Sequence, residues 1–193
     1  GGPQHARNFL RAAQSLGKPV DRVVITHEHP DHSVGLTQFP PGIEIIAQEE
    51  TRAQMVKMGT PNTPAYWKTN AAWGNAQDVN RVVLPTVTFH DRMSVYYGDT
   101  KVDFEWPGRA HTSGDALIYV RSARVVFMGD IAFFGVTPLN GSGYIEDWIK
   151  VCDAVLQDPQ VEVIVPGHGP VGEKKDLVEM RDYLALLLRE GRK

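Results

Sequence analysis

The stretch Val23-Val24-Ile25-Thr26-His27-Glu28-His29-Pro30-Asp31-His32 decides how this chain is read. Its apolar, β-branched beginning, within Asp21–Thr26, predicts a strand. The strand runs into a Pro-containing turn that carries three imidazoles and two carboxylates, Glu28 and Asp31, within six residues. Neutral nitrogen and anionic oxygen are what a borderline-soft divalent ion binds. Pro30 limits the backbone freedom of the turn, so less entropy is lost when a ligand is held. A purification-tag remnant would be contiguous and terminal, whereas this run is internal and anchored to a strand.

Three later positions repeat the context. His111 lies in the turn Gly108–Asp115, Asp130 is expected to end the strand Val125–Gly129, and His168 ends another in Val165-Pro166-Gly167-His168. Each follows an apolar strand and is flanked by Gly or Pro, which permit close backbone approach. Five of the seven histidines fall in these loops, so one shared site is expected; His5 and His90 have no such context. The only cysteine, Cys152, sits on the apolar face of a predicted helix and reads as a core residue. Seven ligands exceed one tetrahedral shell and suit two ions. The assignment is His27, His29 and His111 on one ion, Asp31, His32 and His168 on the other, and Asp130 as the bridging carboxylate.

The remainder of the 193 residues limits the possibilities. The length suits one domain over residues 1–193, since domains run to roughly 100–200 residues. A net charge of −3 gives no general attraction to phosphate backbones, so no nucleic-acid partner is expected. No apolar run approaches the ~18–20 residues of a membrane span. The expectation is a soluble protein, leaning cytoplasmic, although the opening Gly1-Gly2-Pro3 has no Met and a signal peptide could have preceded it. Strands are predicted at Asp21–Thr26, Ile43–Ala47, Met93–Tyr97, Lys101–Trp106, Ala116–Val120, Val125–Met128 and Val161–Val165. Helices are predicted over Gln4–Leu16, stopped by Gly17, and on two apolar stripes: Ile145, Trp148, Ile149, Cys152, Val155, Leu156, and Leu177, Met180, Leu184, Leu187, Leu188. The alternation argues for an α/β layered fold. Gly59–Asp78, with Pro61, Pro64, Tyr66, Trp67 and Trp73, fits neither period and reads as a packed lid.

With His27-Glu28-His29-Pro30-Asp31-His32, His111, Asp130 and His168 in this order, the chain resembles the metallo-β-lactamase-fold superfamily of hydrolases. That family carries His-x-His-x-Asp-His, then a lone His, a lone Asp and a final His. The resemblance spans residues 21 to 170 and implies an αββα sandwich of two mixed β-sheets flanked by helices, with the site at the mouth between them. One departure stands out. Family members usually place several strands before the first histidine of this motif, where this chain has 26 residues before His27. The opening strands, and an acidic residue that supports the ligands, are expected to be missing. Preceding residues outside this sequence, or a homo-oligomeric neighbour, are then expected to cover the sheet.

The resemblance implies a metal-dependent hydrolase. A hydroxide bridged by two divalent ions, zinc first with iron or manganese as alternatives, would attack a small-molecule ester, thioester, lactone or amide. Asp31 is the candidate to shuttle a proton to the leaving group. Thr112, Ser113 and Asp115 either support ligands or close the turn around His111, and Glu28 is expected to point away from the site. The well-known lactamase classes have Cys or Ser at the position of Asp130. Many lactonases have Tyr at that of Phe133, and β-CASP nucleases need an inserted domain that the 38 positions from Asp130 to His168 cannot hold. Phe133 and Phe134 are expected to form an aromatic pocket wall. The alternatives are a β-lactamase, a phosphodiesterase, an iron-dependent dioxygenase of the same fold, or an inactive truncated fragment.

Overall fold

A computed structural model of the chain describes residues 2–58, 82–141 and 143–192. These form two compact units, Gly1–Phe89 and His90–Lys193. The expected lid over Gly59–Asp78 lies outside the described residues.

The first unit opens with α1 (Pro3–Ser15), where Pro3 occupies a position whose N–H would have no helical partner. Gly17, at φ +67°, ends it as expected, its N–H donating to the Gln14 carbonyl at 2.9 Å. Then follow β1 (Arg22–Val24), α2 (Pro30–Ser33), a 3₁₀ turn at Val34–Gln38, β2 (Glu44–Gln48), α3 (Glu49–Met58) and β3 (Val87–Phe89). The sheet order is β1-β2-β3, parallel throughout, with Val23 opposite Ile45 and Ala47 opposite Thr88. Parallel neighbours require crossovers; α2 with the 3₁₀ turn supplies the first and α3 lies in the second. Ile25, Leu36, Ile45, Ala47 and Met55 form the core of this unit.

The second unit contains β4 (Arg92–Tyr97), β5 (Thr100–Glu105), β6 (Leu117–Val120), β7 (Val125–Phe133), α4 (Ile145–Gln157), β8 (Val163–His168) and α5 (Lys174–Glu190). Its sheet runs β4-β5-β6-β7-β8, antiparallel until β7, which pairs in parallel with β8 through the crossover helix α4. Trp148, Val151, Cys152 and Val155 of α4 and Leu177, Met180 and Leu184 of α5 are buried in one cluster with Val126, Met128, Ile131 and Ile164. Each such apolar side chain contributes about 1.5–3 kcal/mol on leaving water. No helix among the described residues is long and apolar enough to cross a membrane.

Two strand ends differ from expectation. β7 continues through Asp130 to Phe133, so Asp130 lies inside a strand rather than at its end. β8 (Val163–His168) runs on past the expected Val165 through Pro166 and Gly167, with His168 at its end as expected. Gly and Pro read as breakers, but here they sit at irregularities of register. From Gly129 to Phe133 β7 advances four residues while β8 advances two, from Pro166 to His168. Such bulges bend a strand and re-aim its side chains.

Candidate metal centre

In the first unit, β1 delivers the chain to Ile25, whose N–H still donates to Ile46 at 2.9 Å, and the motif begins where that pairing stops. Pro30 at the first position of α2 bends the chain back, and the His32 N–H donates to the His29 carbonyl at 2.9 Å. The Ser33 hydroxyl lies 3.0 Å from the carbonyl oxygens of both Glu28 and His29, which ties the loop to the helix. This short circuit gathers the imidazoles. The ring of His27, fully buried, lies 4.9 Å from that of His29 and 4.4 Å from that of His32. Asp31 Oδ2 is 3.3 Å from His32 Nε2. The Thr26 hydroxyl is 3.1 Å from His27 Nδ1, the kind of orienting contact that metal-bound imidazoles usually have. Glu28, between the ligands His27 and His29, is buried, at 7% exposure.

In the second unit three more of the expected ligands meet. Asp130 Oδ2 stands 3.4 Å from His111 Nε2 and 3.4 Å from His168 Nε2. His111 and Asp130 are buried, while the side chain of His168 keeps 40% of its surface. The loop that carries His111 is fastened from several sides. Asp115 accepts from the Thr112 N–H at 2.7 Å and from the Thr112 hydroxyl at 2.9 Å, both residues being buried. Thr112 and Asp115 therefore close the turn, and the Ser113 carbonyl accepts the Trp106 indole N–H at 3.1 Å. Arg109 reaches Asp147 of α4 at 2.8 Å and lies 4.4 Å from the Tyr144 ring centroid.

Three supports were not legible in the sequence. Gly167 lets β8 pass against Asp130, since a Cβ there would lie 1.9 Å from Oδ1. Trp148 donates its indole N–H to the Ile131 carbonyl at 2.9 Å and meets the His111 ring edge-on at 5.2 Å. Thr26, in sequence only the last residue of a strand, places its hydroxyl against His27 Nδ1. Phe133 and Phe134 are core residues, 5% and 4% exposed, and Phe133 stacks on His168 at 5.1 Å and 10° between planes. Both also line an open pocket of about 570 Å³ together with Val136, Pro138, Pro170 and Tyr183. Burial pushes the Cys152 thiol up to about 12, so it is no thiolate at neutral pH, in keeping with its reading as core. His90 pairs with Asp91 at 3.6 Å on the surface, and His5 is exposed.

The donor set suits zinc-like ions. It consists of imidazole nitrogens and carboxylate oxygens, without thiolate. Donors about 2.1 Å from a tetrahedral ion stand about 3.4 Å from one another. That is the spacing of Asp130 Oδ2 from each of its two imidazoles.

Comparison with known proteins places this geometry. The family model of the metallo-beta-lactamase superfamily matches residues 1–168. A metallo-beta-lactamase type 2 of Bacillus sp. (strain 170) is 26% identical over 172 residues, covering 86% of this chain and 58% of that protein. The alpha subunit of a 2,4-dinitroanisole O-demethylase of Nocardioides sp. (strain JS1661) is 25% identical over 171 residues, covering 86% and 46%. An acyl-coenzyme A thioesterase of Bos taurus is 25% identical over 159 residues, covering 75% and 54%. The chain thus spans about half the length of the curated relatives it matches. A metallo-beta-lactamase from Pontibacter korlensis superposes with a TM-score of 0.75 at 20% identity, over 95% of this chain and 78% of that one. That likeness is one of fold, with two sheets flanked by helices. From the family match over residues 1–168, the chain belongs to the metallo-β-lactamase superfamily, whose members are mostly metal-dependent hydrolases.

Proposed function

We propose that this protein is a hydrolase in which the two histidine clusters together hold two divalent ions, zinc foremost. His27, His29 and His111 would hold one ion and Asp31, His32 and His168 the other, with Asp130 shared. The observation that carries this reading is the position of Asp130: one carboxylate oxygen, 3.4 Å from an imidazole on either side, has the placement a bridging ligand needs. The family match over residues 1–168 supports it.

When bound, such a pair of ions supplies Lewis acidity for the substrate's polarised oxygen and brings the pKa of a coordinated water to about 7. The chain's own residues set where that chemistry occurs. Asp130 and His111, both buried, fix one side of the centre away from bulk water. His168, the more exposed member of its cluster, marks the side open to substrate. Asp31, beside His32 at 3.3 Å, is assigned the proton transfer to the leaving group. The substrate class proposed is an ester, thioester, lactone or amide. Two relatives bear names that describe cleavage at such an acyl carbon, a β-lactamase and an acyl-coenzyme A thioesterase.

The test is a hydrolysis panel of a thioester, a lactone, an aryl ester, a β-lactam and an aryl phosphodiester, run on protein loaded with zinc. Acyl cleavage that chelation abolishes and zinc restores is expected. Turnover of the phosphodiester alone would overturn the acyl assignment. Bound iron together with substrate-dependent oxygen uptake would replace hydrolysis with dioxygenase chemistry.

A further inference from the structure

We infer that Trp148 is a positioning residue that couples the strand bearing Asp130 to the loop bearing His111. The inference rests on the metal-binding reading above. It concerns a residue that lies on α4, away from every ligand in sequence.

Three features of the same side chain carry it. The indole N–H donates to the carbonyl of Ile131 at 2.9 Å, and Ile131 directly follows Asp130 in β7. The indole ring meets His111 edge-on, 5.2 Å between centroids and 69° between planes. Trp148 itself is fully buried, and these two contacts fix the plane of its ring. One rigid plate therefore touches the imidazole and holds the backbone beside the carboxylate. The aromatic contact continues through Phe133, 6.3 Å from Trp148 and stacked on His168. The two imidazoles that flank Asp130 Oδ2 are thus both faced by aromatic rings, and those rings touch each other.

The physical consequence is preorganisation. An imidazole free to sample rotamers loses that freedom on binding a metal, and an imidazole already confined does not. Outer partners of ligating histidines contribute about 10–100-fold in metal affinity. Ordinary helix packing needs only an apolar side chain at this position. A hydrogen bond to the residue beside Asp130 and an edge-on contact with His111 go beyond that need.

The experiment compares Trp148→Phe and Trp148→Leu with Val155→Ala, a core truncation on the same helix. Zinc affinity is read by competition with a chromophoric chelator, at a temperature where every metal-free protein is folded by circular dichroism. The expected result is a loss of about tenfold for Trp148→Phe and more for Trp148→Leu. Val155→Ala should lower the melting temperature and leave affinity within twofold. In parallel, the His111 ring proton of the metal-free protein should show a ring-current shift that Trp148→Leu abolishes and Val155→Ala preserves. Unchanged affinity in Trp148→Leu, or a His111 resonance insensitive to it, overturns the inference. If the parent takes up no metal, the binding reading fails on its own, and the metal-free resonance still decides whether Trp148 positions His111.

Discussion

Gly167→Ala is the sharpest perturbation of the centre that substitutes none of its ligands. β8 passes Asp130 so closely that a Cβ on residue 167 would lie 1.9 Å from Asp130 Oδ1, 2.7 Å from the Gly129 carbonyl carbon and 2.9 Å from the Asp130 nitrogen. Ordinary contact begins at 3.4 Å, so the carboxylate oxygen would have to withdraw by about 1.5 Å. The other two contacts are backbone and cannot swing aside. Overpacking of this kind costs about 1–3 kcal/mol. At 2–4 °C per kcal/mol for a chain of this size, the melting temperature should fall by roughly 2–12 °C. Turning the carboxylate also moves Oδ2 from its place between His111 and His168, so zinc affinity should fall by about tenfold or more. Thermal melts of the metal-free protein and chelator competition on the folded protein measure the two effects separately. Gly141→Ala is the control: a Cβ there meets nothing within 4 Å, and its effect should stay within about 0.5 kcal/mol. A Gly167→Ala protein with the parent's melting temperature and zinc affinity would refute the reasoning.

Further outcomes follow from single contacts. Asp115→Ala strips the buried Thr112 N–H and hydroxyl of their acceptor and should cost about 1–3 kcal/mol in denaturant melts, with weaker zinc binding because the turn holds His111. Cys152, buried and with its thiol pushed up to about 12 by burial, should resist thiol reagents in the native protein and react only on unfolding; rapid labelling at neutral pH would show the helix face is open. Burial raises the pKa of Asp158, but the Gln160 N–H and the Arg121 guanidinium outweigh this and hold it below its ordinary 3.8. A folded-state pKa below the unfolded one gives stability that is full above the unfolded value and lost as the pH falls through the folded one. Asp158→Asn should therefore be less stable than the parent near neutral pH, with the gap closing below about 3.8; a gap that ignores pH would contradict it.

Much of this was legible before the structure. The His-x-His-x-Asp-His run, the two long amphipathic helices and most strands follow from periodicity and donor chemistry alone. α3 was missed because Thr51 and Met55, a thin stripe, are its buried residues. β3 was missed because three residues carry no period. β7 and β8 read short because Gly129, Pro166 and Gly167 look like terminators, when they mark bulges that aim Asp130 and His168. Periodicity says that Trp148 is buried; it cannot say that the indole faces His111. Nor can a sequence distinguish a glycine needed for a turn from one needed to let a carboxylate pass.

Metal stoichiometry of the purified protein, by elemental analysis after zinc loading and removal of excess, tests the central claim most directly. The account predicts two zinc ions per chain in the parent, and loss of both together with activity in Asp130→Ala, because that carboxylate is shared. A parent that retains none, or an Asp130→Ala variant that keeps two ions and unchanged turnover, would contradict it.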